Sequence, residues 1–289
     1  MVRRIDSRAQ AAVATTLLLW ASAFAGIRLA LRGYSPGHLA FLRFLIASSV
    51  LATYAVVARM RLPARRDLPA IALMGFLGIT VYHTALNFGE MSVSAGSASF
   101  IVNAAPVLTA ILATLFLGER LKVWGWAGIA VSFGGVSLIA LGGGGGLGLA
   151  PGTLLILLSA LATSGYFILQ KRLLGRYRAL EITTYGIWCG TAFMLVFLPG
   201  LAREVSAAPL SATLAVAYLG AFPAAVAYVA WAYALSLAPA SRAASFLFLT
   251  PLLATAIAWV WLGESPGPLA LAGGVMALVG VTLVNTRGR

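Results

Sequence analysis

The stretch Ala98–Glu119, ASFIVNAAPVLTAILATLFLGE, is written a second time as Ala244–Glu264, ASFLFLTPLLATAIAWVWLGE. Both copies open with Ala-Ser-Phe, hold one proline in their first half and close with Leu-Gly-Glu. Sliding the chain by 145 positions lays Pro106 on Pro251, Gly118-Glu119 on Gly263-Glu264, Gly128 on Gly273, and Gly135-Val136 on Gly280-Val281. Upstream, one extra residue in the first copy brings Ser99-Phe100 onto Ser245-Phe246 and Tyr82 onto Tyr228. A match of proline, glycine and glutamate at fixed offsets is an internal repeat, not a coincidence of leucines.

The repeated unit is apolar, and so is the chain around it. Of its 289 residues 61% are hydrophobic and 9% charged, with a mean hydropathy of +0.96. Soluble domains carry roughly 25% charged residues. The apolar residues come in long blocks, and a membrane span needs about 20 of them. The blocks predict spans at 11–31, 37–58, 68–89, 94–117, 124–141, 151–170, 181–198, 211–235, 241–262 and 268–285. The expected fold is therefore an all-α integral membrane protein of ten transmembrane helices. The glycine-rich stretch 142–150 divides it into halves 11–141 and 151–285, with short tails at 1–10 and 286–289. The basic N-terminus followed by an apolar run invites comparison with a signal peptide. The run continues to Leu31 with Trp20, Phe24 and Arg28 inside it, so it reads as a retained first span.

Charge orients these spans. With the N-terminus in the cytoplasm, the inside segments hold Arg3, Arg4, Arg8, Arg59, Arg61, Arg65, Arg66, Arg120, Lys122, Lys171, Arg172, Arg176, Arg178, Arg242, Arg287 and Arg289. The outside loops hold only Arg32 and Arg203, while Arg28 and Arg43 fall within spans. Lys and Arg bias sets orientation, so the net charge of +13 is topology and not a nucleic-acid surface. Five spans per repeat is an odd number, so the second copy enters the membrane upside down. Inverted repeats with a midplane site are the architecture of alternating-access transporters.

These features resemble a known family. LLLWASAFAGIRLAL at 17–31, HLAFLRFLIA at 38–47, the run from Ala98 to Ile139 and the second ASF…P…LGE are similar to the drug/metabolite transporter superfamily, in its ten-helix EamA-type exporter branch. The likeness covers nearly the whole chain. It implies a bacterial inner-membrane exporter of small metabolites, most like exporters of amino acids, including aromatic ones. A nucleotide-sugar or other metabolite antiporter of the same fold is the alternative. The segment 151–200 departs from the pattern: Lys171-Arg172 only loosely echoes Arg28, and nothing there echoes Arg43.

Polar side chains at membrane depth are costly and mark candidate sites. Thr80, His83, Asn87 and Glu90 recur at helical spacing, with Tyr82 beside them. Ser159, Thr163, Tyr166 and Gln170 form a second stripe, and Ser99 and Asn103 lie on a third with Pro106. Ser241 and Ser245 form a fourth. We expect a substrate cavity built from Trp20, Tyr82, His83, Asn87, Ser99, Phe100, Asn103, Tyr166, Gln170, Tyr228, Trp231 and Ser245. The polar members would bind a polar head, and the aromatic ones a tail. The competing reading is that such residues bond helices to one another, at about 0.6–2 kcal/mol each. Pro106 and Pro251 interrupt their spans at matching depth and are candidate bending points of a gate. Glu90 is expected to pair with Arg43 or Arg28 as a clamp or gate, with carboxylate binding by Arg43 as the alternative. His83 is either a proton carrier or a hydrogen-bonding residue.

No catalytic motif and no metal-ligand cluster is present: both aspartates, Asp6 and Asp67, lie outside the spans, and Cys189 is the only cysteine. No cofactor and no enzymatic activity are expected. The expected partners are a small-molecule substrate and the lipid bilayer, in a monomer or a dimer.

Overall fold

The computed structural model describes residues 7–92, 98, 101–142, 151–262 and 267–288. Ser99, Phe100, Gly263, Glu264 and all but the first residue of the 142–150 linker lie outside the described residues. Among the described residues every regular element is helical. Six helical segments are long and apolar enough to cross a membrane: Ser7–Ala30, Pro36–Val57, Arg65–Gly89, Pro151–Leu173, Ala179–Phe197 and Leu210–Leu237. Shorter apolar helices lie at Ala105–Leu117, Val123–Leu138, Ala240–Ala254 and Leu271–Arg287.

Two of the long segments are not plain α-helices. Leu68–Gly75 widens into a π-helix over Phe76–Val81 before continuing as Tyr82–Gly89. Leu210–Leu219 does the same over Gly220–Val226 before Ala227–Leu237. The two π-helices fall on each other under the repeat offset. A π-turn frees carbonyls from the α-pattern, and a membrane offers no water to bond them, so side chains must. Trp20 Nε1 donates to Pro223 O at 3.2 Å, and the Tyr228 hydroxyl lies 3.5 Å from Gly78 O. Gly78 and Pro223 lie in the two corresponding π-helices.

The prolines of the repeated stretch stand where the helical winding changes. Pro106 stands in the first turn of Ala105–Leu117, after a turn at Asn103-Ala104. Pro251 is the second residue of Thr250–Leu262, after a 3-10 turn over Phe246–Leu249. Proline lacks the N–H that a first turn leaves unbonded, so it starts a helix without loss. The first stretch is interrupted by a turn just before its proline, whereas the second stays helical from Ala240 to Ala254 and tightens to a 3-10 turn just before its own.

Val123–Gly142 and Pro268–Arg287 lie against each other along their glycines. A Cβ on Gly128 would stand 2.7 Å from Gly280 O, and one on Gly135 would stand 2.5 Å from Gly273 O. Since Gly128 corresponds to Gly273 and Gly135 to Gly280, each contact is the repeat image of the other. Such reciprocal pairing is what a twofold relation produces. The pairs run in opposite directions along the two helices, so the helices are antiparallel. Ser132 Oγ donates to Ala277 O, its own repeat equivalent, at 3.2 Å across the seam.

Leu-Gly-Glu has a local explanation. Gly118 ends its helix in the left-handed conformation (φ 66°), which glycine adopts without strain. Glu119 then reaches the start of helix Ala240–Ser245. It accepts from Ala240 N–H at 2.6 Å, Ser241 N–H at 3.1 Å and Ser241 Oγ at 2.5 Å. A carboxylate at a helix N-terminus satisfies its unbonded N–H groups and complements its dipole. Glu119→Ala is therefore expected to cost about 1–2 kcal/mol, read as a lowered melting temperature of the purified protein in detergent.

Basic residues gather on that same face. Arg172 Nη2 donates to Phe116 O, and Lys171 Nζ to Leu235 O and Ala238 O, all at 2.6 Å. Arg176 pairs with Asp67 at 2.6 Å. Lys171 and Arg172 therefore cap helix ends with their cations, a favourable placement at C-terminal carbonyls.

On the opposite face, Glu204 of the short helix Leu201–Ala207 accepts from Ser35 N–H at 2.9 Å and lies 2.8 Å from His38 Nδ1. Partial burial pushes its carboxyl up, but the Ser35 and His38 hydrogen bonds together outweigh this and hold it below the usual carboxylate range. A carboxyl with a lowered folded-state value stabilises most above its ordinary range and loses that contribution as pH falls through the lowered value. Glu204→Gln should therefore be less stable than wild type at neutral pH. The two melting curves should converge on acidification. A constant gap would contradict the assignment.

Candidate functional site

A cavity of about 70 Å³ opens between the two proline-bearing stretches and the π-helices. This exceeds the roughly 10–15 Å³ that a single water requires, so the cavity has room for more than one small polar group. Of the expected residues, Trp20, Tyr82, His83, Asn103, Tyr228, Pro106 and Arg43 line it. Phe24, Leu86, Thr163, Phe167 and Thr250 line it as well, although the sequence did not mark them as site residues. Thr163 alone carried a signal, as a member of the second polar stripe.

The wall is aromatic and mutually braced. His83 Nε2 bonds the Tyr228 hydroxyl at 2.8 Å, and its ring lies 4.5 Å from both Tyr82 and Phe44. Trp20 meets Tyr228 edge-on at 5.4 Å. Edge and offset ring contacts of this kind add about 0.5–1.5 kcal/mol each beyond burial, so the wall holds its shape without substrate.

Arg43 is the one charged side chain among the described lining residues. It is 3% exposed, with its guanidinium 5.5 Å from the centroid of the Phe44 ring. The expected clamp is not formed. Among the described residues Arg176 pairs with Asp67 and His38 contacts Glu204, and both Glu90 carboxylate oxygens are buried without a hydrogen-bond partner. Glu90, which ends the Tyr82–Gly89 helix, lies within electrostatic reach of Arg43 and Arg28 but makes contact with neither, since Arg43 turns into the cavity. Arg43 Nε is likewise unbonded. A buried charge without a contacting counterion is unfavourable, and no acid is among the described lining residues.

The other expected residues are used in packing. Asn87 Nδ2 donates to Pro36 O at 3.1 Å. Gln170 Nε2 donates to the Tyr166 hydroxyl at 2.7 Å, and the Tyr166 ring fills the space beside Gly78. Trp231 is fully buried behind the wall, 5.6 Å from Trp20 and 4.6 Å from Phe167. Ser245 donates to Arg242 O at 2.8 Å and accepts from Asn285 at 3.1 Å. The stripe Thr80-His83-Asn87-Glu90 is split because the π-helix resets the register. Thr80 bonds Gly190 O at 2.9 Å, away from His83.

The EamA-like transporter family model matches residues 8–141 and again 150–286. A transporter of Bacillus subtilis (strain 168), YdfC, is 48% identical over 91% of this chain and 86% of its own length. A probable terminal-alkyne amino-acid exporter of Streptantibioticus cattleyicolor is 41% identical over 97% of this chain and 94% of its own. A solved crystal structure superposes with a TM-score of 0.77 at 20% identity, covering 96% of each chain, a likeness of fold.

Proposed function

The chain belongs to the EamA-like transporter family, and on that premise we propose that it exports small zwitterionic metabolites, amino acids including aromatic ones, across the bacterial inner membrane. The observation that carries the substrate class is Arg43, a buried cation in a cavity with no acid among its described lining residues. A substrate carboxylate supplies the missing partner, since guanidinium and carboxylate form paired, charge-assisted hydrogen bonds. The aromatic wall takes the substrate side chain. The amino-acid exporter named among the relatives supports the same reading.

The mechanism we propose is alternating access by ten spans in two inverted five-helix repeats. The reciprocal glycine seam and the paired π-helices support it, because equivalent halves can exchange conformations around one site. Glu90 is then available to Arg43 when substrate has left, in another conformation.

The test is counterflow into proteoliposomes. Vesicles are loaded with unlabelled amino acids or nucleotide sugars, and uptake of the labelled counterpart is followed. Saturable exchange of neutral amino acids supports the proposal. Exchange confined to nucleotide sugars overturns the substrate class.

A further inference from the structure

A second concavity, of about 1160 Å³, lies on the arginine-rich face where the segment before Asp67 meets the turn after Leu173. The meeting is built: Ala64 N–H donates to the Tyr177 hydroxyl at 3.0 Å, and that hydroxyl donates to Asp67 at 2.8 Å. Arg59, Arg61, Arg66, Arg176 and Arg178 line the concavity. Its acids are already engaged. Asp67 pairs with Arg176 at 2.6 Å, and Glu181 accepts the Arg178 backbone N–H at 2.9 Å. The other four arginines make no ion pair among the described residues. Orientation requires basic residues at this face, but it does not require them to converge from two distant segments around one hollow. Arg59 also takes a left-handed backbone, φ 48°, a conformation costing a non-glycine residue about 1–2 kcal/mol.

The rim leads into the bilayer. Tyr54 belongs to the lining and is 55% exposed. Val50 and Val57 flank it at helical spacing along Pro36–Val57, 41% and 78% exposed. An exposed apolar stripe on a spanning helix meets acyl chains. This stripe ends at the guanidinium groups.

We propose that this concavity holds the phosphate headgroup of an anionic phospholipid from the adjoining leaflet, with an acyl chain along Val50, Tyr54 and Val57. Guanidinium matches phosphate in two-point geometry, and basic pockets between membrane helices suit such headgroups. Four unpaired guanidinium groups accommodate two phosphates, so a lipid with two phosphates, cardiolipin, binds above phosphatidylglycerol, and both bind above phosphatidylethanolamine. Soluble phosphate matches the arginines but gains nothing from the stripe.

The test uses delipidated full-length protein in detergent, titrated with cardiolipin, phosphatidylglycerol, phosphatidylethanolamine or inorganic phosphate. Bound lipid is read by native mass spectrometry and the melting temperature in parallel. Half-saturation by cardiolipin is expected at about one tenth of the phosphatidylglycerol concentration, the size of one additional charge-assisted contact. The double variant Arg61→Lys/Arg178→Lys keeps the charge that orients the chain but loses the two-point geometry, and should weaken cardiolipin retention about tenfold. Its lipid-free melting temperature, unchanged, shows that the variant folds. Equal response to inorganic phosphate, equal retention of phosphatidylethanolamine, or unaltered binding by the double variant would each overturn the proposal.

Discussion

Arg43→Gln is expected to abolish most amino-acid exchange while leaving the empty protein as stable as wild type or more so. A charge-assisted hydrogen bond to the substrate carboxylate contributes about 1.5–3 kcal/mol, so loss of that contact lowers affinity roughly 10- to 150-fold. Arg43→Lys keeps the charge but not the two-point geometry, and should fall between the two. Stability separates this role from a structural one. Arg43 makes no contact ion pair among the described residues and is 3% exposed, with Glu90 acting on it only at a distance. Replacing a buried unpaired charge by a neutral amide removes a desolvation cost. Were Arg43 a clamp to Glu90, Arg43→Gln would lower the melting temperature. If Arg43 instead serves the substrate, only the substrate-induced rise in melting temperature disappears, because a ligand stabilises in proportion to its binding. The measurement is a melting curve of each variant with and without a saturating neutral amino acid.

The second large effect is expected at the glycine seam. A Cβ on Gly280 meets the Ser132 side chain and stands 2.5 Å from both Gly128 O and Ser132 N. Leucine there forces the two helices apart along their length. Overpacking costs about 1–3 kcal/mol in an ordinary core, occasionally more. Here the obstacle is backbone, which cannot turn aside. Gly280→Leu should therefore show a melting temperature lower by several degrees and a loss of transport. Gly134→Ala is the control, since its Cβ finds only the mobile end of Met276 at 3.6 Å. Equal stability of Gly280→Leu and wild type would mean that the seam does not hold the two halves together.

Much of this was legible in the sequence because the repeat was legible. Pro106 and Pro251, the two Gly-Glu pairs and the seam glycines define a single offset, and that offset predicts which halves correspond. Trp20, Tyr82, His83, Asn103 and Tyr228 were found because a polar or aromatic residue inside an apolar block stands out. What stayed hidden has a common cause. The helical stripe Thr80-His83-Asn87-Glu90 assumed 3.6 residues per turn throughout. A π-turn has no composition of its own, so the register shift between Thr80 and Tyr82 left no trace. Phe24, Leu86 and Phe167 are apolar residues among apolar residues, and nothing in their spacing says that they face a cavity. Gln170, Asn87 and Ser245 carried the same polar signal as the cavity residues. Their partners, Tyr166, Pro36 and Asn285, only become neighbours once the chain is folded. Glu119 is the converse case. The motif was visible at once, yet its purpose depended on a helix start that lies 121 residues away in the chain.

Recognition of a substrate carboxylate by Arg43 is tested most directly by competition in proteoliposome counterflow between two molecules that differ only in that group, phenylalanine and 2-phenylethylamine. Phenylalanine is expected to inhibit labelled amino-acid exchange at concentrations at least tenfold lower, and Arg43→Gln to erase the difference. Equal inhibition by the amine in the wild-type protein would contradict carboxylate recognition.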